Sequence, residues 1–163
     1  MEAQNIDKPD WRKIGAALAA PFAPEQIEWR PATGKGKAGE RAQVVAYVDA
    51  RDVAQRLDEV VGVGGWSFDW QPLHVDAAGD VKTARGVLTI WGVSKSDVGT
   101  ASTYEASKGC VSDALKRCAV LFGVGRHLYS IPAVWVTLDA NGRIPETELL
   151  KLCAALKRRL AAA

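Results

Sequence analysis

The stretch Trp66–Val75 reads WSFDWQPLHV, and its alternation decides the fold class. On an extended chain Trp66, Phe68 and Trp70 fall on one side, and Ser67, Asp69 and Gln71 fall on the other. Such alternation marks a strand covered on one face only, as in antiparallel sheets, whereas parallel strands are buried on both faces. The turn Ala78-Gly79-Asp80 follows. Val81–Trp91 then repeats the pattern, setting Ala84, Leu88 and Ile90 against Thr83, Arg85 and Thr89. Val93–Ala101 completes a three-stranded meander.

Working outward, Ala50–Val61 has the period of a helix, with Val53, Leu57 and Val60/Val61 as its buried stripe and Gly62, Gly64 and Gly65 ending it. Before it, Ile27–Pro31 and Arg41–Asp49 read as strands joined by Thr33–Glu40, a hairpin. Pro9–Ala20 is a short helix with Trp11, Ile14 and Leu18 at helical spacing, capped by Asp7 or Asp10 and stopped by Pro21 and Pro24. After the meander, Ser102 and Glu105 have the spacing of a capping box, opening a helix that ends near Gly123 or Gly125. Arg126–Leu138 is irregular or a short strand. Asn141-Gly142 is a turn, and Pro145 opens a last amphipathic helix. The expected class is α+β: an antiparallel sheet, hairpin plus three-stranded meander, packed against helices. One domain over 1–163 is expected, with 145–161 as its C-terminal helix.

The chain has 163 residues, 48% hydrophobic and 25% charged, enough to bury a real core. Its formal charge of +2 is too small to announce a nucleic-acid binder by itself. Distribution says more. Arg30, Lys35, Lys37 and Arg41 cluster with only Glu40 among them, and Lys157, Arg158 and Arg159 crowd the far end. Cys110, Cys118 and Cys153 make an odd count without framework spacing, so a reducing compartment is expected. No signal peptide is visible, and no run approaches the roughly 20 apolar residues that span a bilayer. A soluble cytoplasmic protein with no membrane partner is the expectation.

Gly34-Lys35-Gly36-Lys37-Ala38-Gly39 matches G-x-G-x-x-G, but a strand follows where the dinucleotide fingerprint requires a helix. It reads as a basic loop. His74 and His127 have no partner at ligand spacing, no Cys-x-x-Cys occurs, and Ser107 and Ser112 lack a nucleophile-elbow context. No catalytic residue, metal or cofactor is therefore expected, and no enzyme. Of the six tryptophans, Trp66, Trp70 and Trp91 fit the covered face of the sheet.

Within the helix after the meander, Asp113–Gly123 reads DALKRCAVLFG. Val111, Ala114, Leu115, Cys118 and Leu121/Phe122 form its apolar stripe, and Lys116 and Arg117 sit beside that stripe. A paired cation on a fixed helix suits a phosphate backbone. The competing reading is a solvated helix edge with an i,i+4 ion pair between Asp113 and Arg117, and the pattern alone leans toward it. Tyr47 shares a strand face with Arg41, Gln43 and Asp49. It is either a stacking platform for a base or a half-buried tyrosine with a wet hydroxyl. Arg30 lies on the neighbouring strand, near Tyr47 or in a rim salt bridge.

Two strings, Gly62-Val63-Gly64-Gly65-Trp66 at the helix-to-strand junction and Ser112–Gly123 with its Asp-Ala-Leu-Lys-Arg run and Phe122-Gly123, carry a resemblance. In that order they resemble the eukaryotic Rad-type single-strand annealing recombinases, and most of all the bacterial relatives that answer DNA damage. The resemblance spans 27–128. It implies a ring-forming protomer, with single-stranded DNA running along a basic groove between two lobes. The groove would be lined by Lys116, Arg117, Arg30 and Tyr47, with Arg41 and Lys108 in support. A further family arginine one turn after the pair is Val120 here, leaving the groove one cation poorer. Lys82 and Lys95 stand nearest to the family's outer DNA site. Also implied are binding and nuclease protection of 3′ ends, with strand annealing and other repair proteins as partners. Two rivals remain: a double-stranded nucleic-acid binder, and an oligomeric adaptor whose basic residues form subunit salt bridges.

Overall fold

A computed structural model describes residues 9–32, 37–101 and 106–161. The proposed capping box at Ser102 and Glu105, the candidate cap Asp7, and Lys35 of the glycine-rich loop lie outside the described residues. Helix α1 (Trp11–Ala19) is capped by Asp10, whose carboxylate accepts from the backbone nitrogens of Arg12 and Lys13 at 3.2 Å each. Strands β1 (Ile27–Pro31) and β2 (Arg41–Val48) pair antiparallel, with Glu28 opposite Tyr47 and Arg30 opposite Val45. Helix α2 (Ala50–Val61) connects them to β3 (Trp66–Val75), β4 (Val81–Ile90) and β5 (Val93–Thr100), the expected meander. Helix α3 (Ala106–Leu121), strand β6 (Val134–Thr137) and helix α4 (Glu146–Ala161) follow.

Two antiparallel sheets result, β1–β2–β6 and β3–β4–β5, and the class is α+β. The second sheet matches its reading from alternation. The hairpin gains a third strand, because β6 pairs with β2 on the side away from β1, with Gln43 opposite Trp135. Val136 and Leu138 turn inward there and pack with Ala42, Val44 and Leu152, so α4 covers the inner face of this sheet. The larger core joins Leu18, Phe22, Ile27, Val48, Val53, Leu57, Leu88, Ile90, Cys118 and Leu156, drawn from both sheets and all four helices.

Helix α3 lies across β4 and β5 and barely touches β3. That placement corrects two tryptophans. Trp66 packs against the core and its indole nitrogen donates to Asp58 at 2.8 Å. Trp70 and Trp91, expected on the covered face, are about half exposed. β3 is the edge strand that α3 leaves uncovered, so its far end reaches past the helix, while Trp91 sits in the β4–β5 turn with a φ of 45°. The α3 stripe packs as expected at Ala114, Cys118 and Phe122, but Leu121 faces outward.

The close approach of α3 to the sheet depends on Gly99. A Cβ at Gly99 would collide with the carbonyl oxygen of Cys110 and the backbone nitrogen of Ala114. The contact is backbone on backbone, and neither side has a flexible end to yield. Gly99→Ala should therefore lower stability by about 2–3 kcal/mol, the upper part of the overpacking range. Urea unfolding should show a lower midpoint at unchanged slope.

Candidate nucleic-acid interface

A groove of about 400 Å³ separates two walls. Arg30, Val45 and Tyr47 line it from the outer face of the β1–β2–β6 sheet, and Lys116, Arg117 and Tyr129 line it from α3 and the turn beyond. Antiparallel register explains the first wall, since directly opposed residues leave the sheet on the same side. The packed stripe of α3 explains the second: Ala114 and Cys118 are fully buried, so Lys116 is fixed beside them.

Tyr47 is the meeting point. The Arg30 guanidinium stands 5.6 Å from its ring centroid on one side, and the Lys116 ammonium approaches to 5.4 Å from the helix. Its hydroxyl donates to the Glu28 carboxylate. Burial first, then that hydrogen bond, pushes the phenol up to about 12, so it stays a neutral donor. The ring face is what the tyrosine offers to the groove.

Lys116 makes no ion pair with any described residue. Burial pulls its ammonium below the usual lysine range, and Arg30 pulls the same way, while Asp113, Asp49 and Glu28 oppose them from a distance. A cation taken partly out of water without a paired anion is costly, and a phosphate arriving beside it relieves that cost. The sign follows directly. An anionic ligand requires the charged form, and the lowered pKa means that this charge is lost at a lower pH than for an ordinary lysine. Affinity for an oligonucleotide should therefore begin to decline at a lower pH than an ordinary lysine, near 10.4, would impose. Lys116→Arg should flatten that decline in an anisotropy titration.

Arg117 is held differently. Its Nη2 and Nε lie 3.1 and 3.3 Å from Asp97 Oδ1 on β5. The alternative pair with Asp113 does not form; Asp113 instead accepts from the backbone nitrogen of Thr100 at 3.0 Å. Arg117 nevertheless lines the groove with its side chain 45% exposed. The bond to Asp97 keeps its guanidinium firmly charged.

The structure thus brings together Arg30, Tyr47, Lys116 and Arg117. Arg41 lies on the same sheet face but toward its other end, 5.9 Å from the Trp135 ring centroid. Lys108 is exposed on α3, two turns before Lys116, and neither it nor Arg41 is among the lining residues. Lys82 bridges Asp76 and Asp80 at 2.8 and 3.6 Å. Lys95 donates to the Leu121 carbonyl at 2.7 Å and stands 4.6 Å from the Phe122 ring centroid. Both lysines thus brace the fold away from the groove. Val120 lines the groove as an apolar residue, and its carbonyl accepts from Arg126 at 2.8 Å, which brings a guanidinium to that end of the helix. Sequence reasoning passed over Tyr129, 72% exposed in the groove wall. Its signal was an aromatic two turns after the cation-bearing helix, just past the left-handed Gly125.

Among the described residues no cluster of three or more His, Cys, Asp or Glu could hold a metal ion. His127 packs against Phe22, and burial lowers its pKa. No described helix is long and apolar enough to cross a membrane.

A cation-lined groove between an antiparallel sheet and a packed helix defines a class. Residues 10–146 match the model of the Rad52/22 family of double-strand break repair proteins, and the chain belongs to that family. It is similar to the single-stranded DNA-binding protein DdrA of Deinococcus radiodurans, 41% identical over 131 residues, which is 79% of this chain and 61% of that protein. The DdrA of Deinococcus deserti is also 41% identical, over 130 residues, 78% of this chain and 62% of the relative. The chain thus spans about three fifths of the length of the curated relatives it matches.

Proposed function

We propose that this chain binds single-stranded DNA non-catalytically in repair and recombination, holding the strand in the groove lined by Tyr47 and Lys116. The observation that carries this reading is Lys116: a partly buried ammonium with no described ion-pair partner, facing an aromatic ring and a second cation. Phosphates answer the cations and a base or sugar answers the ring. That combination tracks a backbone without reading sequence. The volume of the groove, about 400 Å³ between its two walls, suits an unpaired strand better than a duplex. The relatives' printed description as single-stranded DNA-binding proteins supports the same ligand.

The finer reading follows the family. The protomers close into a homo-oligomeric ring that repeats the groove, which raises avidity without new contacts and compensates for a net charge of only +2. The bound strand is a 3′ end, shielded from nucleases, and complementary strands anneal on the ring. The setting is the bacterial cytoplasm, at the nucleoid.

Competition between labelled single strands and duplex tests the ligand. Single strands should win, and a preference for duplex would overturn the reading. Absence of any binding would favour an adaptor. Protection of a 3′-overhang against a 3′-exonuclease, compared with a 5′-overhang against a 5′-exonuclease, tests the polarity. Light scattering with and without oligonucleotide tests the ring.

A further inference from the structure

Outside the groove, the most conspicuous unabsorbed feature is Trp135. It lies on the short strand β6, is 57% exposed, and carries the Arg41 guanidinium 5.9 Å from its ring centroid. Leaving a large aromatic surface in water forgoes the stabilisation that burial would bring. The sheet does have an inner face, which β6 uses for Val136. Trp135 is turned the other way.

That other way is the face that leads into the groove. Gln43 is opposite Trp135 and Arg41 is opposite Thr137, while Glu28 is opposite Tyr47 and Arg30 is opposite Val45. Residues 41, 43, 45 and 47 alternate to one side of β2, so Trp135 and Tyr47 share one continuous surface. Four residues of strand separate their registers, roughly 13 Å, a step of a few nucleotides. Charge along the path is favourable. Arg30 and Arg41 flank it, Glu28 is engaged by Tyr47, and Glu40 is paired with Lys37 at 3.8 Å.

We infer that Trp135, backed by Arg41, is a second stacking platform for single-stranded nucleic acid, placed along the strand path beyond the groove. This inference rests on the single-strand reading above and extends it. Arg41 has two functions here: it holds the indole plane by a cation–π contact and presents a charge to the adjacent phosphate. The occupant is identified by continuity with the cationic groove and by this charge, which a purely apolar protein contact would leave unanswered.

The test is photo-crosslinking of the full chain to an oligonucleotide carrying 5-iododeoxyuridine at successive positions, with the crosslinked peptides mapped by mass spectrometry. Crosslinks should appear at both Tyr47 and the 134–137 peptide, from bases a few nucleotides apart. Trp135→Ala should weaken binding about five- to hundredfold, the range expected for one lost base stack, while Trp135→Phe largely preserves it. The Tyr47 crosslink should survive in both variants, and the mass in solution should be unchanged. Crosslinking at Tyr47 without any at Trp135 would overturn this inference and leave the groove standing. No crosslinking at either site would overturn the groove itself. A change in oligomeric mass on Trp135→Ala at unaltered affinity would assign the tryptophan to a contact between copies, and the inference would fall. The wild-type crosslinks decide the matter even if a variant folds poorly.

Discussion

Lys116→Ala should weaken single-stranded DNA binding by about ten- to hundredfold, the effect of removing one charge-assisted contact worth roughly 1.5–3 kcal/mol. Arg117→Ala should cost markedly less, although the two residues are neighbours on one helix. The difference is structural. Lys116 reaches the groove without an ion-pair partner among the described residues, whereas Arg117 is already bonded to Asp97. A phosphate that recruits Arg117 must compete with that carboxylate, so the net gain is smaller. Asp97→Asn removes the competitor and should tighten binding several-fold. Because the Arg117–Asp97 pair is partly exposed, its loss should cost no more than about 1 kcal/mol of stability. Equilibrium anisotropy titrations of the four proteins at one salt concentration measure all of this. Equal losses for the two alanine variants would mean that the Asp97 bond is irrelevant to binding.

Tyr47 should show the second large effect. Tyr47→Ala removes the surface on which Arg30 and Lys116 converge and the platform for a base, and binding should weaken by roughly five- to hundredfold. Tyr47→Phe keeps the ring and loses only the bond to Glu28, so its affinity should stay near that of the parent. This contrast separates stacking from hydrogen bonding. If phenylalanine proved as damaging as alanine, the hydroxyl and its Glu28 partner, not the ring, would be the functional group. Thermal melts of both variants should stay close to the parent, since Tyr47 sits on an outer face rather than in the core.

Much of this arrangement was legible in the chain itself, wherever a local pattern carries the information. Alternation in Trp66–Val75 and Val81–Ile90 gave the meander, and helical spacing around Ala114 and Cys118 placed Lys116 beside a buried stripe. What local pattern cannot carry is the identity of a distant partner. β6 pairs with a strand some ninety residues earlier, so Arg126–Leu138 alone reads as irregular or a short strand, and only the pairing of Gln43 with Trp135 decides it. Trp70 alternates like a core residue, but β3 is an edge that α3 does not cover, and no periodicity says which strand is the edge. Arg117 has an acid four residues back in sequence and still chooses Asp97, because the register of β5 under α3 brings that carboxylate closer. The Tyr47–Glu28 bond needed the hairpin register, which a loop as long as residues 32–40 leaves open.

The groove's character as a phosphate-tracking surface is best examined through salt. Each phosphate neutralised on a single strand should contribute about 0.7 to the negative slope of log K against log salt. Titrations of a labelled single strand at stepped salt concentrations should give a straight falling line for the parent. For the Lys116→Ala, Arg117→Ala double variant the line should be shallower by about 1.4 and lower at every moderate salt concentration, whatever the oligonucleotide sequence. Two superimposable lines would mean that these cations face no phosphate, and the single-strand groove would have to be sought elsewhere on the molecule.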